Sequence, residues 1–474
     1  SLHFFLQRRS DFVVFFFAVL VLNQPLRRWP IAQKAMLVLA SYYFYAQWNW
    51  HYLFLVWFST VVDYSIGLRL PHSPKPHRLI ALSVIVNLGF LGIFKYANWL
   101  IASFNGAGAA LGGTWHVTPL DVVLPVGISF YTFQSLSYTI DVYRGEMAPR
   151  RNFLDYALAV AFFPQLEAGP IVRAREFFAE LDGPKLVRLR DVQRALVLIA
   201  FGFVKKMVFA DSLALVADPV FDNPAGAGFW NTLFAVYAFA FQIYCDFSGY
   251  TDIATGCALL LGIRFPQNFN YPYIAQSFQD FWRRWHMTLS RWLRDYLYIS
   301  LGGNRAGKLR TLANLMITML LGGLWHGASW TFVIWGGLHG LYLVVERVGL
   351  SRWKLWQSPA RAMVLVRWAV VFHLVCLAWI FFRAKTFGAA WQVLANLAHG
   401  VMHAFANFAL AQHTGLALLF ISLMIVHALN ANRRVKDRLS DDRGPAFVAA
   451  MTAAILLLVL FTPNHSAPFI YFQF

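Results

Sequence analysis

Charge is the scarcest component of this sequence. Of its 474 residues 13% are charged, about half the share of a soluble domain. Acidic charge is scarcer still, with 22 Asp and Glu against 40 Lys and Arg. Cysteine is nearly absent. Cys245, Cys257 and Cys376 all lie in apolar context, and none belongs to a C-x-x-C pair. This argues against a disulfide framework or a thiolate zinc site and leaves three small buried hydrophobes. No H-E-x-x-H pair occurs, so Asp246, Asp252, His286, His326 and His339 are not expected to hold a metal. No G-x-S-x-G turn offers a serine nucleophile, and no fixed-period repeat is visible.

What the chain has in abundance is apolar sequence. Hydrophobic residues make up 59%, and 45 Phe, 19 Tyr and 18 Trp bring the aromatic share to 17%. The mean hydropathy is +0.52. Length alone would suggest two or three soluble domains. Apolar runs overrule that: they recur near 11–24, 35–68, 79–104, 119–140, 153–172, 192–218, 228–263, 309–346, 362–382, 386–410, 414–430 and 445–462. A run of about 20 apolar residues spans a bilayer as a helix, and lipid forces backbone polar groups to be satisfied within helices. The expectation is an all-α polytopic membrane protein with about eleven to thirteen transmembrane or re-entrant helices. Its parts are N-terminal helices over 1–120, a core over 121–350 and C-terminal helices over 351–474, in one membrane-embedded unit.

The net charge of +18 does not point to nucleic acid, because the basic residues sit in the gaps between apolar runs. That distribution is what membrane orientation predicts. The basic stretch Asn432 to Arg443 is expected on the cytoplasmic side, which puts Thr462 to Phe474 on the far, periplasmic side. The mixed-charge linker Arg173 to Arg194 reads as a cytoplasmic excursion. Phe12 to Leu22, flanked by Arg8-Arg9 and Arg27-Arg28, reads as a first membrane segment rather than a removable signal peptide.

The rest of the chain looks like scaffold for Asn268 to Glu346. An aromatic and basic run, Phe278 to Tyr296, is followed by the basic loop Gly302 to Arg310 and by two apolar runs that meet at Leu321-Gly-Gly-Leu-Trp-His326-Gly-Ala328. Read as one helix over 278–297, Phe278, Phe281, Trp282, Trp285, Leu289, Trp292, Leu293 and Tyr296 form an apolar stripe, with Arg283, Arg284, Arg291 and Arg294 elsewhere. That pattern predicts a helix lying at the membrane interface with His286 on its flank. His326, walled by apolar sequence and flanked by glycines, is the stronger candidate: desolvation keeps an imidazole neutral, and a neutral imidazole is what a general base requires. His339, in Gly-Gly-Leu-His-Gly, reads as structural. Two other apolar runs carry polar groups. Leu124 to Asp141 is studded with hydroxyls and a Gln and reads as a packed interior helix or a tunnel lining. Asp246 and Asp252 must meet a cavity, a partner base or the headgroup region.

Several strings taken together resemble the membrane-bound O-acyltransferase (MBOAT) family. They are Leu124-Pro-Val-Gly-Ile-Ser-Phe-Tyr-Thr-Phe-Gln, Phe163-Pro-Gln-Leu-Glu-Ala-Gly-Pro170, Tyr244-Cys-Asp-Phe-Ser-Gly-Tyr-Thr-Asp252, Asn268-Phe-Asn-Tyr-Pro272, Phe281-Trp-Arg-Arg-Trp-His286, Leu324-Trp-His-Gly327 and Phe469-Ile-Tyr-Phe-Gln-Phe474. Within the family the chain is similar to the bacterial branch that acetylates alginate or transfers D-alanine to teichoic acid, and more to the alginate type. The resemblance implies a ring of helices around a thin centre pierced by a tunnel. It implies acyl transfer from a thioester to a hydroxyl, with His326 and His286 catalytic and Trp325, Trp285, Arg283, Arg284, Asn268, Tyr250 and Asp252 at the substrate. Arg283, Arg284 and Arg291 would hold the phosphates of a donor such as acetyl-CoA, or would anchor the segment to the membrane. No tightly bound cofactor is implied. The expected partners are acetyl-CoA or an acyl carrier, a periplasmic acetyltransferase relay protein, exopolysaccharide pathway proteins and membrane lipid, and the expected location is the bacterial inner membrane. Glu167 departs from the pattern, standing where relatives carry a small or aliphatic residue.

Overall fold

Lipid offers backbone N–H and C=O groups no partners, and every regular element among the described residues is a helix. The computed structural model describes residues 9–183, 187–305, 307–401, 410–433, 444–463 and 469–470. Most of the expected basic loop at 432–443 and the last four residues of the chain lie outside them. By length and composition, Pro30–His72, Pro76–Ala110, Arg361–Arg383 and Thr414–Ala431 can cross a membrane, and Asp11–Leu26 and Pro445–Phe461 are shorter apolar helices. Their outward faces carry large apolar side chains such as Phe17, Leu39, Ile85, Ile425 and Val459, as a lipid-facing surface does. Many of the remaining helices are shorter, which fits the re-entrant elements expected from the sequence.

Contacts divide the chain into two units, Ser1–Ala195 with Ala254–Pro266, and Leu196–Ile253 with Gln267–Phe474. The first contains α1 (Arg9–Leu26), α2 (Pro30–Asn49), α3 (Leu53–Arg69), α4 (Pro76–Leu91), α5 (Ala97–Ala110), α6 (Ile128–Tyr143), α7 (Phe153–Ala161) and α8 (Ala174–Asp182). α2 and α3 fold back on each other through the short turn Trp50–Tyr52. Lys34 near the start of α2 pairs with Asp155 at 2.6 Å, and Tyr64 near the end of α3 stacks edge-on against Phe153 and tilts onto Tyr156. Both ends of the hairpin therefore meet the start of α7. That end of the unit is basic: Arg27, Arg28, Arg69, Lys75, Arg78, Arg144, Arg150 and Arg151 lie in or beside its loops, whereas Asn49–Tyr52 and the stretch 111–127 carry no Lys or Arg. The excursion at 173–194 is tied to the basic end, since Arg150 bridges Asp155 and Asp182 and Arg175 pairs with Glu146 at 2.7 Å.

α6 is buried along nearly its whole length, as expected of a packed interior helix. Its hydroxyls bind neighbours: Thr139 meets Ser83 at 2.9 Å and Ser129 accepts from Lys95 at 3.0 Å. Asp63, on a membrane-crossing helix, is fully buried. It accepts from Ser83 at 2.7 Å and from Asn87 at 2.7 Å, so this carboxyl is held by hydrogen bonds rather than left bare.

The second unit contains α10 (Asp211–Asp222), most of α11 (Phe229–Leu260), α12 (Phe278–Trp282), α13 (Met287–Trp292), α14 (Lys308–His326), α15 (Trp330–Val348), α16 (Arg361–Arg383), α17 (Phe387–Val401), α18 (Leu410–Arg433) and α19 (Pro445–Phe461); α9 (Leu189–Phe203) reaches it over its last eight residues. α14 and α15 form a hairpin whose axes come close because glycines face each other. A Cβ on Gly336 would meet the Met319 carbonyl, and one on Gly323 would meet the Phe332 carbonyl. Gly202 and Gly249 do the same where α9 crosses α11; a Cβ on Gly202 would stand 2.7 Å from the Gly249 oxygen. A Gly336→Val substitution overpacks the hairpin and should cost about 1–3 kcal/mol. Gly337→Val meets only the flexible Leu320 side chain at 3.5 Å and should be tolerated. Melting temperatures in detergent check this: the first variant is expected to fall by several degrees and the second to match the parent.

Candidate functional site

The expected single helix over 278–297 is not what forms. α12 opens at the Ser277 cap, whose hydroxyl accepts from the Asp280 N–H at 2.9 Å, and at Glu346 of α15, which accepts from the Phe278 N–H at 2.6 Å. It ends at Trp282. The chain then turns and restarts as α13 at Met287, and the π-helical turn Leu293–Tyr298 follows α13. The break has a non-local cause. The Asn270 N–H donates to the Arg284 carbonyl and the Met287 N–H donates to the Asn268 carbonyl, each at 2.9 Å. The Asn268 side-chain oxygen also accepts from Thr288, at 3.2 Å from its N–H and 2.9 Å from its hydroxyl. A pairing of 268–270 with 284–287 cannot coexist with a continuous helix, and it throws His286 into the left-handed region at φ 40. Tyr271 joins it at φ 48, and these are the non-glycine residues with positive φ among those described. A left-handed non-glycine residue costs about 1–2 kcal/mol, so both are held by what surrounds them.

Two expectations are corrected by this break. His286 is not on an interface flank; it is fully buried, between Phe247 at 4.7 Å and Trp325 at 5.7 Å ring to ring. The apolar stripe does not rest on lipid. Phe278, Phe281, Trp285, Leu289, Trp292 and Tyr296 are buried in protein; Phe278 and Phe281 pack on Tyr342 and His339 of α15 and Trp285 on Trp379 of α16. Trp285, for instance, lies 4.9 Å from Trp379. Burial pushes the His286 imidazole well below its ordinary range, since a charged ring there would lose its hydration. It is neutral near pH 7.

His326 is the last residue of α14. It lies 18 residues from Lys308, which is roughly 27 Å of helix away from the basic loop. It is 4% exposed, and its ring centroid is 6.1 Å from that of His286. Trp335 at 5.0 Å and Phe382 at 5.3 Å wall it in. Gly327 continues the chain in extended form, where a Cβ would strike the Phe332 ring. His339 lies one turn along α15 from Trp335, stacked on Phe281 at 5.7 Å and edge-on to Trp282 at 5.0 Å. Three buried imidazoles thus follow one aromatic seam. The chemistry available to a neutral imidazole in such surroundings is proton acceptance and hydrogen bonding.

The remaining predicted residues divide into two groups. Trp325 packs on both His286 and His326, whereas Trp285, next to His286 in sequence, packs on Phe281 and Trp379. Asn268 is 1% exposed and spends its side chain on Thr288. Tyr250 is one ring removed, packed on Phe469 at 4.8 Å, which in turn touches Phe247. Asp252 pairs with Lys205 at 2.7 Å, and Asp246 with Lys206 at 2.8 Å. Of the three outcomes open to these acids, the partner base is the one realised. Arg284 binds Asp280 at 2.9 Å, and Arg283 is exposed. Sequence reasoning missed Glu346, Phe247, Trp335 and Phe382. Glu346 had a visible signal, a lone acid near the end of an apolar run; the aromatics had none. Asn268→Ala removes the Thr288 acceptor and should cost about 1–3 kcal/mol, with turnover reduced at least tenfold. Arg283→Ala should leave the melting temperature unchanged. Thermal melting and turnover on the same preparations check both.

Comparison with known proteins identifies relatives of this chain. The sequence profile of the MBOAT, membrane-bound O-acyltransferase family, matches residues 147–391. A probable alginate O-acetylase of Pseudomonas syringae pv. tomato is 43% identical over 387 residues, covering 80% of this chain and 72% of that protein. A peptidoglycan O-acetyltransferase of Helicobacter pylori is 40% identical over 398 residues, covering 78% and 74%. A teichoic acid D-alanyltransferase of Streptococcus thermophilus is 32% identical over 244 residues, covering 48% and 58%.

Proposed function

The chain belongs to the membrane-bound O-acyltransferase family and is an O-acyltransferase, and from that premise we propose that it moves acetyl groups from cytoplasmic acetyl-CoA to a hydroxyl acceptor for exopolysaccharide O-acetylation. The acceptor is a sugar hydroxyl of a polymer such as alginate or cellulose, or a hydroxyl of a periplasmic relay protein. The observation that carries the reading is the buried pair His286 and His326, 6.1 Å apart ring to ring in an aromatic enclosure. Acetyl is preferred to D-alanyl because relatives named for acetylation match more of the chain at higher identity.

In this reading the acceptor hydroxyl gives its proton to the His326 imidazole while its oxygen attacks the thioester carbonyl. The carbon–sulfur bond breaks, the new ester forms, and the thiolate leaves with the proton returned from the imidazolium. Free coenzyme A and the acetylated acceptor are the products. His286, neutral and fixed by the turn, orients donor or acceptor. The aromatic walls exclude water, which would otherwise hydrolyse the thioester, and hold the reactants together.

Approach of the donor fits the charge distribution. α15 carries Trp335 against His326 and, eleven residues on, Glu346 beside Arg347; that is roughly 17 Å of helix. The reach suits a thin extended thioester arm entering from the end of the α14–α15 hairpin that carries Lys308 and Arg347. Arg283, exposed beyond Trp282, is available to a phosphate there. In this reading the protein lies in the bacterial inner membrane with its Lys- and Arg-bearing loops on the cytoplasmic side, its C-terminus on the periplasmic side and exopolysaccharide pathway proteins as partners.

His326→Ala should reduce acetyl transfer at least a hundredfold in proteoliposomes supplied with acetyl-CoA, with abundance and folding checked on the same preparation. Acceptor acetylation at the parental rate in that variant would remove the base assignment. Transfer of D-alanine from a carrier protein, with none from acetyl-CoA, would replace the acetyl reading.

A further inference from the structure

The break that buries His286 has to be held open from outside. Tyr271 and His286 are both left-handed, and the loop between Asn268 and Ala275 has little regular structure to absorb its own polar groups. Asn268, Pro272, Tyr273 and Ala275 are buried, and a buried N–H or C=O needs a partner. One such partner comes from α18, far along the chain. The Tyr273 N–H donates to Nε2 of His427 at 3.1 Å. The Tyr273 carbonyl accepts from the Trp368 indole of α16 at 2.9 Å. His427 is 3% exposed and is boxed by Tyr244 at 4.8 Å, Tyr271 at 5.3 Å and Tyr273 at 5.7 Å.

Because Nε2 accepts, the proton of the neutral ring is on Nδ1. The ring thus fixes the peptide that follows the left-handed Tyr271–Pro272 step. Three and five residues before Tyr273 the same loop makes the Asn270–Arg284 and Asn268–Met287 hydrogen bonds that bracket His286. The constraint runs from α18 to Tyr273, then through Asn270 and Asn268 to His286. His427 lies beyond residue 391, where the family match ends.

We propose that His427 is a positioning residue for the acyl-transfer site: by accepting from the Tyr273 N–H it holds the Asn268–Tyr273 loop in the register that keeps His286 buried and aimed at His326. It touches no substrate. The proposal rests on the reading of His286 and His326 as the reacting site, and it adds the requirement for an acceptor atom at one point on α18.

The test compares three variants with the parent in proteoliposomes supplied with acetyl-CoA, following kcat, KM and melting temperature. Gln at 427 can put an amide oxygen where Nε2 stands; Asn is polar but too short to reach; Leu fills space and accepts nothing. His427→Gln is expected to keep kcat within about threefold, while His427→Asn and His427→Leu lose at least tenfold in kcat with little change in KM for acetyl-CoA. Adding Tyr271→Gly, which removes the left-handed penalty, should recover part of the loss in the Asn variant. A simple space-filling role predicts Leu no worse than Asn, and no rescue by Gln. Equal activity in all three variants, or equal loss in all three, overturns the proposal, and the Gln–Asn comparison decides even if the Leu variant does not accumulate. His326→Ala separates the two readings: if it is inactive while His427→Asn equals the parent, only the positioning role falls; if it is active, the site reading falls first.

Discussion

The hydrogen bonds between 268–270 and 284–287 decide where His286 lies. Without them the aromatic and basic run from Phe278 would continue as a helix, and His286 would ride on its surface. With them the helix stops, His286 takes a left-handed conformation, and its ring enters the interior beside Phe247 and Trp325. Strain of about 1–2 kcal/mol at a non-glycine left-handed residue persists only where surrounding contacts over-determine it. Here Asn268, Glu346 and the packed rings of Trp285, Trp335 and Trp379 supply those contacts. The site is thus built by tertiary structure and then rigidified by it.

The same economy governs the charges. A carboxylate or ammonium left alone inside an apolar bundle would be expensive. Asp246 answers Lys206 and accepts from the Ile470 N–H at 2.7 Å; Asp252 answers Lys205. Asp63 is answered by hydroxyls and an amide. Against that background the two histidines stand out, because a neutral imidazole can occupy an apolar enclosure and still accept a proton. That property suits them to acyl transfer from a thioester in a place that keeps water out.

Much of this was legible from residues alone. Scarce charge and recurring apolar runs gave the membrane class, and clustering of Lys and Arg between runs gave the sorting of ends that α2 and α3 display. His326 was visible as a glycine-flanked histidine where two apolar runs meet, because the local sequence there is also the local structure: a helix end, a turn and a second helix. His286 was visible as a residue but not as a place. Periodicity treats 278–297 as self-contained, whereas its break is imposed by residues 14 to 19 positions upstream (Asn270 with Arg284, Asn268 with Met287). Asp246 and Asp252 announced a need for partners, yet Lys205 and Lys206 lie about 40 residues away inside another apolar run, and nothing local names them. Phe247, Trp335 and Phe382 are three among many aromatics, and only packing picks them out.

The central claim is that the acyl thioester meets His326 inside this aromatic enclosure. Its most direct test is an experimental structure of the protein with a non-transferable acetyl-CoA analogue, in which the thioester sulfur is replaced so that the acetyl group cannot leave. The account predicts the acetyl carbonyl within roughly 3–4 Å of the space an attacking oxygen occupies beside the His326 imidazole, with His286 in its left-handed turn. An analogue seated elsewhere on the protein, with His326 still closed in by Trp335, Trp325 and Phe382, would contradict it.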